Sequence, residues 1–193
     1  MRKITEADIL PLPEYMKVRA ERRSAMTALK KNRRLEVGPF ATFYFESFDT
    51  MLHQVQEMLY IEKGGAAQVP DELAAYNPLI PDGRELTATV MLEIDDPVRR
   101  TRVLASLGGI EHTMFIRFAG ETVKGVAEDD QERTRADGKA SSVHFVHFPF
   151  TAEQVAKFRT SGTEVVVGFT HENYGHMALM SEAVRTALAK DFD

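Results

Sequence analysis

The sequence contains no cysteine and no tryptophan among its 193 residues. Without cysteine there are no disulfide bonds, thiolate metal sites, iron–sulfur ligands or cysteine nucleophiles. The glycine-rich phosphate-binding loops and the GxSxG nucleophile elbow are missing as well, so dinucleotide-binding, P-loop and serine-hydrolase functions have no motif to support them. No apolar run reaches 18 residues, and the first ten residues lack the apolar core of a secretory signal. We therefore expect a cytoplasmic protein that does not enter a membrane.

The net charge of −5 is distributed unevenly. Residues 1–35 hold ten Lys and Arg against four Asp and Glu, whereas the rest of the chain holds fourteen against twenty-five. A basic arm at Lys30 to Arg34 is compatible with nucleic-acid binding. Cations at the C-terminal end of a helix also complement the helix dipole. We favour a basic helix packed on an acidic body and keep nucleic-acid binding as the weaker alternative.

The segment from Phe43 to Lys63 changes its side-chain period from that of a strand to that of a helix. Its helical part has one apolar stripe, preceded by the possible cap Ser47 and followed by two glycines. His53, Glu57 and Tyr60 fall together on the opposite face of this helix. We expect any chemistry on this helix to occur on that polar face, and Glu57 is its candidate catalytic group.

The order of the predicted elements favours an α+β fold in a single domain over residues 1–193. Several strands follow one another through short turns, which indicates a largely antiparallel sheet with helices packed on its faces. A basic N-terminal helical segment is predicted over residues 5–34. Alanine is the only apolar residue type in residues 127–140, and the length of this stretch predicts a mobile loop, either a lid or a disordered segment.

The six histidines suggest a divalent metal such as Fe or Zn. His144 and His147 are three residues apart in a predicted strand, so they point to opposite faces and do not share one ion. His171 and His176 bracket a four-residue turn, and a hairpin there would place the two imidazoles opposite each other. This pair is the best local chelate in the sequence, and it needs a third ligand from elsewhere.

Four segments together resemble a bacterial family called domain of unknown function 3501: DTMLHQVQEML with Glu62, YNPLIPDGRELTATVMLEI, SSVHFVHFPF and HENY. The similarity extends from ITEADILPLPEY to the last helix. Genes of this family commonly stand beside those for rubrerythrin and for an iron–sulfur and flavin oxidoreductase. The resemblance therefore implies an accessory role in redox or peroxide metabolism. The resemblance also implies that a set of mainly polar positions is important in the family: Glu46, Gln54, Gln56 to Met58, Glu62, Tyr76, Asn77, His144 and His171 to Tyr174.

Two hypotheses of function follow. In the first, the protein is a cytoplasmic accessory or ligand-binding protein of a rubrerythrin-type redox or peroxide-stress system, with rubrerythrin and the oxidoreductase as partners. Its candidate ligand-binding residues are Gln54, Glu57, Glu62, Asn77 and Tyr174. In the second, the protein is an oxidoreductase or hydrolase that depends on a divalent metal. The metal ligands would be His144, His171 and His176, with Glu57 as an oxygen ligand or general base. Both hypotheses require that folding gathers these groups in one pocket.

Overall fold

A computed structural model describes residues 2–128, 134 and 138–193 of the chain. The described residues contain six α-helices: α1 (Leu12–Lys30), α2 (Phe48–Glu62), α3 (Val69–Tyr76), α4 (Pro97–Ala105), α5 (Ala152–Arg159) and α6 (Glu182–Leu188). Short 3₁₀ turns lie at Glu6–Asp8, Gly65–Gln68, Asn77–Leu79, Ile110–His112 and Ala189–Phe192. None of these helices is long and apolar enough to span a membrane.

The described strands are β1 (Arg34–Val37), β2 (Ala41–Phe45), β3 (Glu85–Leu92), β4 (Met114–Phe118), β5 (Glu121–Lys124), β6 (Val126–Ala127), β7 (Val143–Pro149), β8 (Val165–Phe169) and β9 (Met177–Leu179). They form two antiparallel sheets. The large sheet has the order β1-β2-β3-β7-β6, and the small sheet has the order β5-β4-β8-β9. The predicted α+β fold is confirmed, although its strands divide into two sheets where the sequence suggested one.

The two sheets pack face to face, and α2 covers the other face of the large sheet. The main core lies between the sheets and includes Phe43 and Val90 of the large sheet with Ile116 and Val167 of the small one. A second core lies on the opposite face of the large sheet. There Phe145 of β7 packs against side chains of α2 and of the segment after α3: Met51, Val55, Leu59, Leu79 and Ile80. Burial of each such side chain stabilises the fold by roughly 1.5–3 kcal/mol. The large sheet is therefore covered on both faces.

Helix α2 begins at the predicted cap Ser47 and ends at Glu62, two residues before the glycine pair that signals its end. The Ser47 hydroxyl accepts a hydrogen bond from the Thr50 backbone N–H at 3.3 Å, and the Thr50 hydroxyl accepts one from the Ser47 N–H at 2.8 Å. This reciprocal cap satisfies two backbone donors that the first turn would otherwise leave free. At the other end Lys63 adopts a left-handed conformation, with φ of +57°, and stops the helix.

Most of the basic N-terminal segment, residues 5–34, lies in two helical elements. A 3₁₀ turn precedes α1, the helix ends at Lys30, and Arg34 already belongs to β1. Arg33 is 7% exposed and forms a buried ion pair with Asp191 near the C-terminus. Its guanidinium also donates to the backbone carbonyl oxygens of Phe45, at 3.0 Å, and Glu46, at 2.7 Å. Arg33 thus holds the end of β2 in place and is not part of an exposed nucleic-acid-binding cluster.

The mobile loop predicted over residues 127–140 falls for the most part outside the described residues. Its described residues are 127, 128, 134 and 138–140.

Candidate ligand-binding site

The polar face of α2 is covered by α1, which the sequence did not indicate. Glu57 accepts two hydrogen bonds from the Arg19 guanidinium, both at 2.8 Å, and one from the Tyr15 hydroxyl at 2.6 Å. The Arg19 guanidinium also lies 4.1 Å from the centre of the Tyr60 ring. These hydrogen bonds, those from Arg19 foremost, lower the pKa of Glu57 to about 2. A carboxylate that is this weakly basic and this fully bonded is suited to joining two helices and is a poor general base.

Three other predicted ligand-binding residues make structural hydrogen bonds. The Asn77 side chain exchanges two hydrogen bonds with the backbone of Ile4, at 2.8 and 3.0 Å. The buried Tyr174 hydroxyl donates to the Val37 carbonyl at 2.7 Å and accepts from the backbone N–H of Ala41 at 3.0 Å. Glu62 is the exposed last residue of α2, where it accepts a hydrogen bond from Gln68 at 2.7 Å. Asn77 and Tyr174 thus join distant parts of the backbone, and Glu62 contacts a neighbouring side chain.

The hairpin after β8 differs from the arrangement expected for a histidine chelate. His171 pairs across the turn with Tyr174, whereas the backbone of His176 pairs with Phe169. The His171 ring accepts from the Asn173 N–H at 3.2 Å, and its other nitrogen lies 3.1 Å from the Gly108 carbonyl oxygen. The His176 ring packs on Tyr174, with 4.5 Å between the ring centres. The two imidazoles therefore do not face each other.

His144 is fully buried on β7, and its Nε2 lies 2.9 Å from the Ser141 carbonyl oxygen. As expected, His147 lies on the opposite face of the same strand, where it contacts Glu85 at 3.0 Å and Glu128 at 3.2 Å. These carboxylates bind opposite nitrogens of the ring, so they do not converge on one ion. Among the residues that the structure describes, no three His, Asp or Glu side chains are placed to hold a metal ion. The predicted set of Glu57, His144, His171 and His176 does not fit a metal.

A cavity of about 260 Å³ lies between α2 and the outer face of the large sheet. Two rows of side chains across neighbouring strands contribute to its floor. Tyr44, Thr89 and Phe145 are aligned in one row, and Met91 and Val143 are aligned in the next. Because alternate residues of a strand point to the same face, the strand register alone brings these side chains together.

The opposite side of the cavity comes from three helical segments that are distant in sequence. Its lining residues there are Lys30 at the end of α1, Met51 and Gln54 of α2, Tyr76 at the end of α3, and Leu79. Glu46, the residue that follows β2, lies between the two sides. A mainly apolar cavity with a few convergent polar groups is the usual form of a small-molecule site.

Glu46 is the most buried polar group of this cavity, with 6% of its surface exposed. One carboxylate oxygen accepts from the Thr89 hydroxyl at 2.7 Å, and the other accepts from the Thr50 hydroxyl at 2.6 Å. No Lys, Arg or His of the described residues forms an ion pair with it. Each oxygen retains capacity for a further hydrogen bond. The carboxylate is therefore held in one orientation and keeps a free coordination direction at each oxygen.

Three further polar side chains of the cavity have no partner within the described part of the chain. The half-buried residues of the lining include Lys30, Gln54 and Tyr76. Their side chains make no hydrogen bond with the described residues. The Tyr44 hydroxyl, in contrast, donates to Glu93 at 2.9 Å. Polar groups that converge on a cavity without satisfying one another are available to a ligand.

Another groove, of about 390 Å³, lies between the N-terminal segment and the second half of α2. Its lining is mainly apolar, and the amide of its buried Gln56 is already bonded on both sides to the Leu10 backbone, at 2.9 and 3.0 Å. It offers fewer free polar groups than the cavity at Glu46, so we place the candidate site at Glu46.

The family model described as "Protein of unknown function (DUF3501)" matches residues 3–192. The chain belongs to this family. Its structure is similar to the crystal structure of a protein of unknown function from Burkholderia pseudomallei K96243, with a TM-score of 0.92 and 35% sequence identity over the full length of both chains. No curated protein matches the sequence.

In this DUF3501 protein, three positions stressed by the family resemblance meet in the cavity: Glu46, Gln54 and Tyr76. Of the predicted site residues, only Gln54 lines it. The sequence held one further signal, the alternation of Thr87, Thr89 and Met91 on one side of β3, since such a face is more polar than a sealed core. The sequence did not indicate that Lys30 lines this cavity, because nothing in a sequence shows that the end of α1 reaches the large sheet.

Proposed function

We propose that this protein binds a small organic molecule in the cavity between α2 and the large sheet, and that it acts as a non-catalytic accessory protein. One observation carries the proposal: four polar side chains from distant parts of the chain converge on a largely apolar cavity and leave hydrogen-bonding capacity unused. The volume of about 260 Å³ is just below the range of about 300–1,000 Å³ for drug-sized ligands. A metabolite of modest size would fill it.

A variant that fills the cavity provides the test. Met91→Trp places a large ring on the cavity floor, and Met177→Trp makes the same change on β9, where Met177 is 59% exposed and outside the cavity. Each protein is purified without an affinity tag and denatured, and the released small molecules are identified by mass spectrometry. We expect the wild type and Met177→Trp to release a compound that folded Met91→Trp does not. Equal retention by all three proteins, or release of nothing above background by the wild type, would refute the proposal.

The second part of the proposal concerns the biological setting. We propose that the bound molecule serves a rubrerythrin-type redox or peroxide-stress system, with rubrerythrin or its iron–sulfur and flavin oxidoreductase as partner. The support for this part is the family resemblance alone. Surface plasmon resonance with each purified partner tests it, and no response up to about 100 μM, a level at which even weak complexes are populated, would count against it.

We do not extend the proposal to an Fe- or Zn-dependent enzyme. Glu57 is bonded to Arg19 and Tyr15, and His171 is bonded to backbone groups. We expect elemental analysis to give the same metal content for the wild type and for His171→Ala. A loss of bound Fe or Zn in the variant would restore the metal hypothesis.

A further inference from the structure

The cavity contains one fixed negative charge and one positive charge that do not neutralise each other. Glu46 and Lys30 both line it, yet they form no ion pair. Glu46 is almost fully buried and is surrounded by hydroxyl donors, whereas Lys30 is half-buried at the end of α1. The carboxylate therefore lies at the inner part of the cavity and the ammonium nearer to solvent.

A buried carboxylate without an ion-pair partner is costly, because two neutral hydroxyls do not replace the hydration that the charge has lost. An ammonium group on a ligand would supply both the missing charge and hydrogen bonds to the free directions of the two oxygens. The Thr50 and Thr89 hydroxyls fix the carboxylate without occupying those directions. The inner end of the cavity is thus suited to a cationic nitrogen.

The Lys30 ammonium, in contrast, would bind a negatively charged group of a ligand. It carries three donors and no acceptor, and no carboxylate of the described residues is bonded to it. A ligand with only a positive charge would be repelled by Lys30, and a ligand with only a negative charge would be repelled by Glu46. A ligand with both charges, separated by an apolar body, satisfies both residues.

The surface between the two charges is mainly apolar, with Met51, Met91 and Phe145 among its lining residues. Gln54 and Tyr76 add neutral hydrogen-bonding groups. We propose that the ligand is a zwitterion of the amino-acid type, whose ammonium group binds Glu46 and whose carboxylate binds Lys30 across a short hydrocarbon body. This inference rests on the proposed function, and it adds the chemical class of the ligand.

A matched series of probes tests the charges one at a time: 6-aminohexanoate carries both, hexylamine only the ammonium, hexanoate only the carboxylate and 1-hexanol neither. Chains of four to eight carbons are included to find the length that fits. Affinities are measured by NMR titration of the ¹⁵N-labelled full-length protein. We expect the zwitterion to bind more tightly than either singly charged probe by about tenfold, as a charge-assisted hydrogen bond would give.

Two substitutions assign the charges to their residues. Glu46→Gln is expected to weaken the zwitterion and the amine by about tenfold, to leave hexanol within about twofold and to leave hexanoate unweakened. Lys30→Gln is expected to weaken the zwitterion and hexanoate and to leave the amine unweakened. Matched controls are Glu36→Gln and Lys31→Gln, since both residues are exposed and lie outside the cavity lining. The controls should bind all probes as the wild type does.

Equal affinities across the series, or equal weakening of all probes by Glu46→Gln, would overturn the zwitterion. No binding of any probe at about 10 mM, a concentration that detects even weak ligands, would overturn it as well. Neither result would refute the proposed function if the Met91→Trp comparison still shows a retained compound. Thermal unfolding of each variant distinguishes a lost contact from a lost fold.

Discussion

Glu57 and Arg19 form a two-pronged ion pair that joins α2 to α1, with both N–H···O distances at 2.8 Å. The Glu57 side chain is 14% exposed and that of Arg19 is 24% exposed. Planar, paired hydrogen bonds of this kind are among the stronger polar contacts in proteins. The pair stabilises the packing of two helices, and its loss should be visible in the stability of the whole protein.

We predict that stability contributed by Glu57 is lost in acid. The pKa of Glu57 is about 2 in the folded protein, below its ordinary value of 4.5, because Arg19 donates hydrogen bonds to the charged form. A lowered pKa means that the contribution is present above pH 4.5 and declines as the pH falls towards 2. Glu57→Gln should lower the free energy of unfolding at pH 7 by about 1–3 kcal/mol and reduce its decline between these pH values.

Urea unfolding at a series of pH values measures this effect. Glu21→Gln is the matched control, because Glu21 is exposed on α1 and has no ion-pair partner among the described residues. A Glu57→Gln variant with the same pH dependence as this control would contradict the prediction.

A second prediction concerns His147, which joins β7 to Glu85 and Glu128. The hydrogen bond with Glu85, and to a lesser extent that with Glu128, raises the pKa of His147 above 6.5 in the folded protein. A raised pKa means that the contribution is complete below pH 6.5 and is lost as the pH rises through the folded value. We expect the melting temperature to fall between about pH 6 and pH 8.5, and His147→Gln to remove this part of the slope.

The exposed His112 provides the control for His147, as His112→Gln removes an imidazole that makes no side-chain hydrogen bond within the described region. Burial lowers the pKa of His53, but His53 is present in both variants and cancels from the comparison. An NMR titration of the imidazole signals reports the His147 pKa directly. A value at or below 6.5 would refute the prediction.

A third prediction tests the structural assignment of Tyr174. Its hydroxyl bonds the carbonyl of Val37 and the N–H of Ala41 at a buried position. Tyr174→Phe removes both hydrogen bonds at a buried position, which should cost about 1–3 kcal/mol of unfolding free energy. Ligand binding in the cavity should be unchanged, because Tyr174 does not line it.

Tyr60→Phe is the corresponding control, since the Tyr60 ring packs near Arg19 while its hydroxyl makes no hydrogen bond with the described residues. Chemical denaturation of both variants gives the comparison. Equal stability of Tyr174→Phe and the wild type would show that the hydroxyl is not structural.

The parts of the fold that depend on neighbours in sequence were predictable. The alternation in β3 and the spacing of apolar residues in α2 reflect the local geometry of strand and helix. The Ser47 cap and the helix end near Lys63 follow from backbone groups that must find partners within a few residues. The α+β class followed from the order of these elements.

The site was decided by tertiary structure. The polar face of α2 was expected to hold chemistry, but α1 packs on it and uses Glu57 as a link between helices. The cavity instead lies on another side of α2, where Gln54 meets Glu46, Tyr76 and Lys30.

By itself the sequence determined the elements, the fold class and the family, because these depend on local periodicity and on matched segments along the chain. Only the tertiary structure decided which polar side chains bond other parts of the protein and which remain available to a ligand. Lys30 and Tyr76 are 46 residues apart in the chain, and no local rule brings them to the same cavity as Glu46. The register of the large sheet and the packing of helices against it did so.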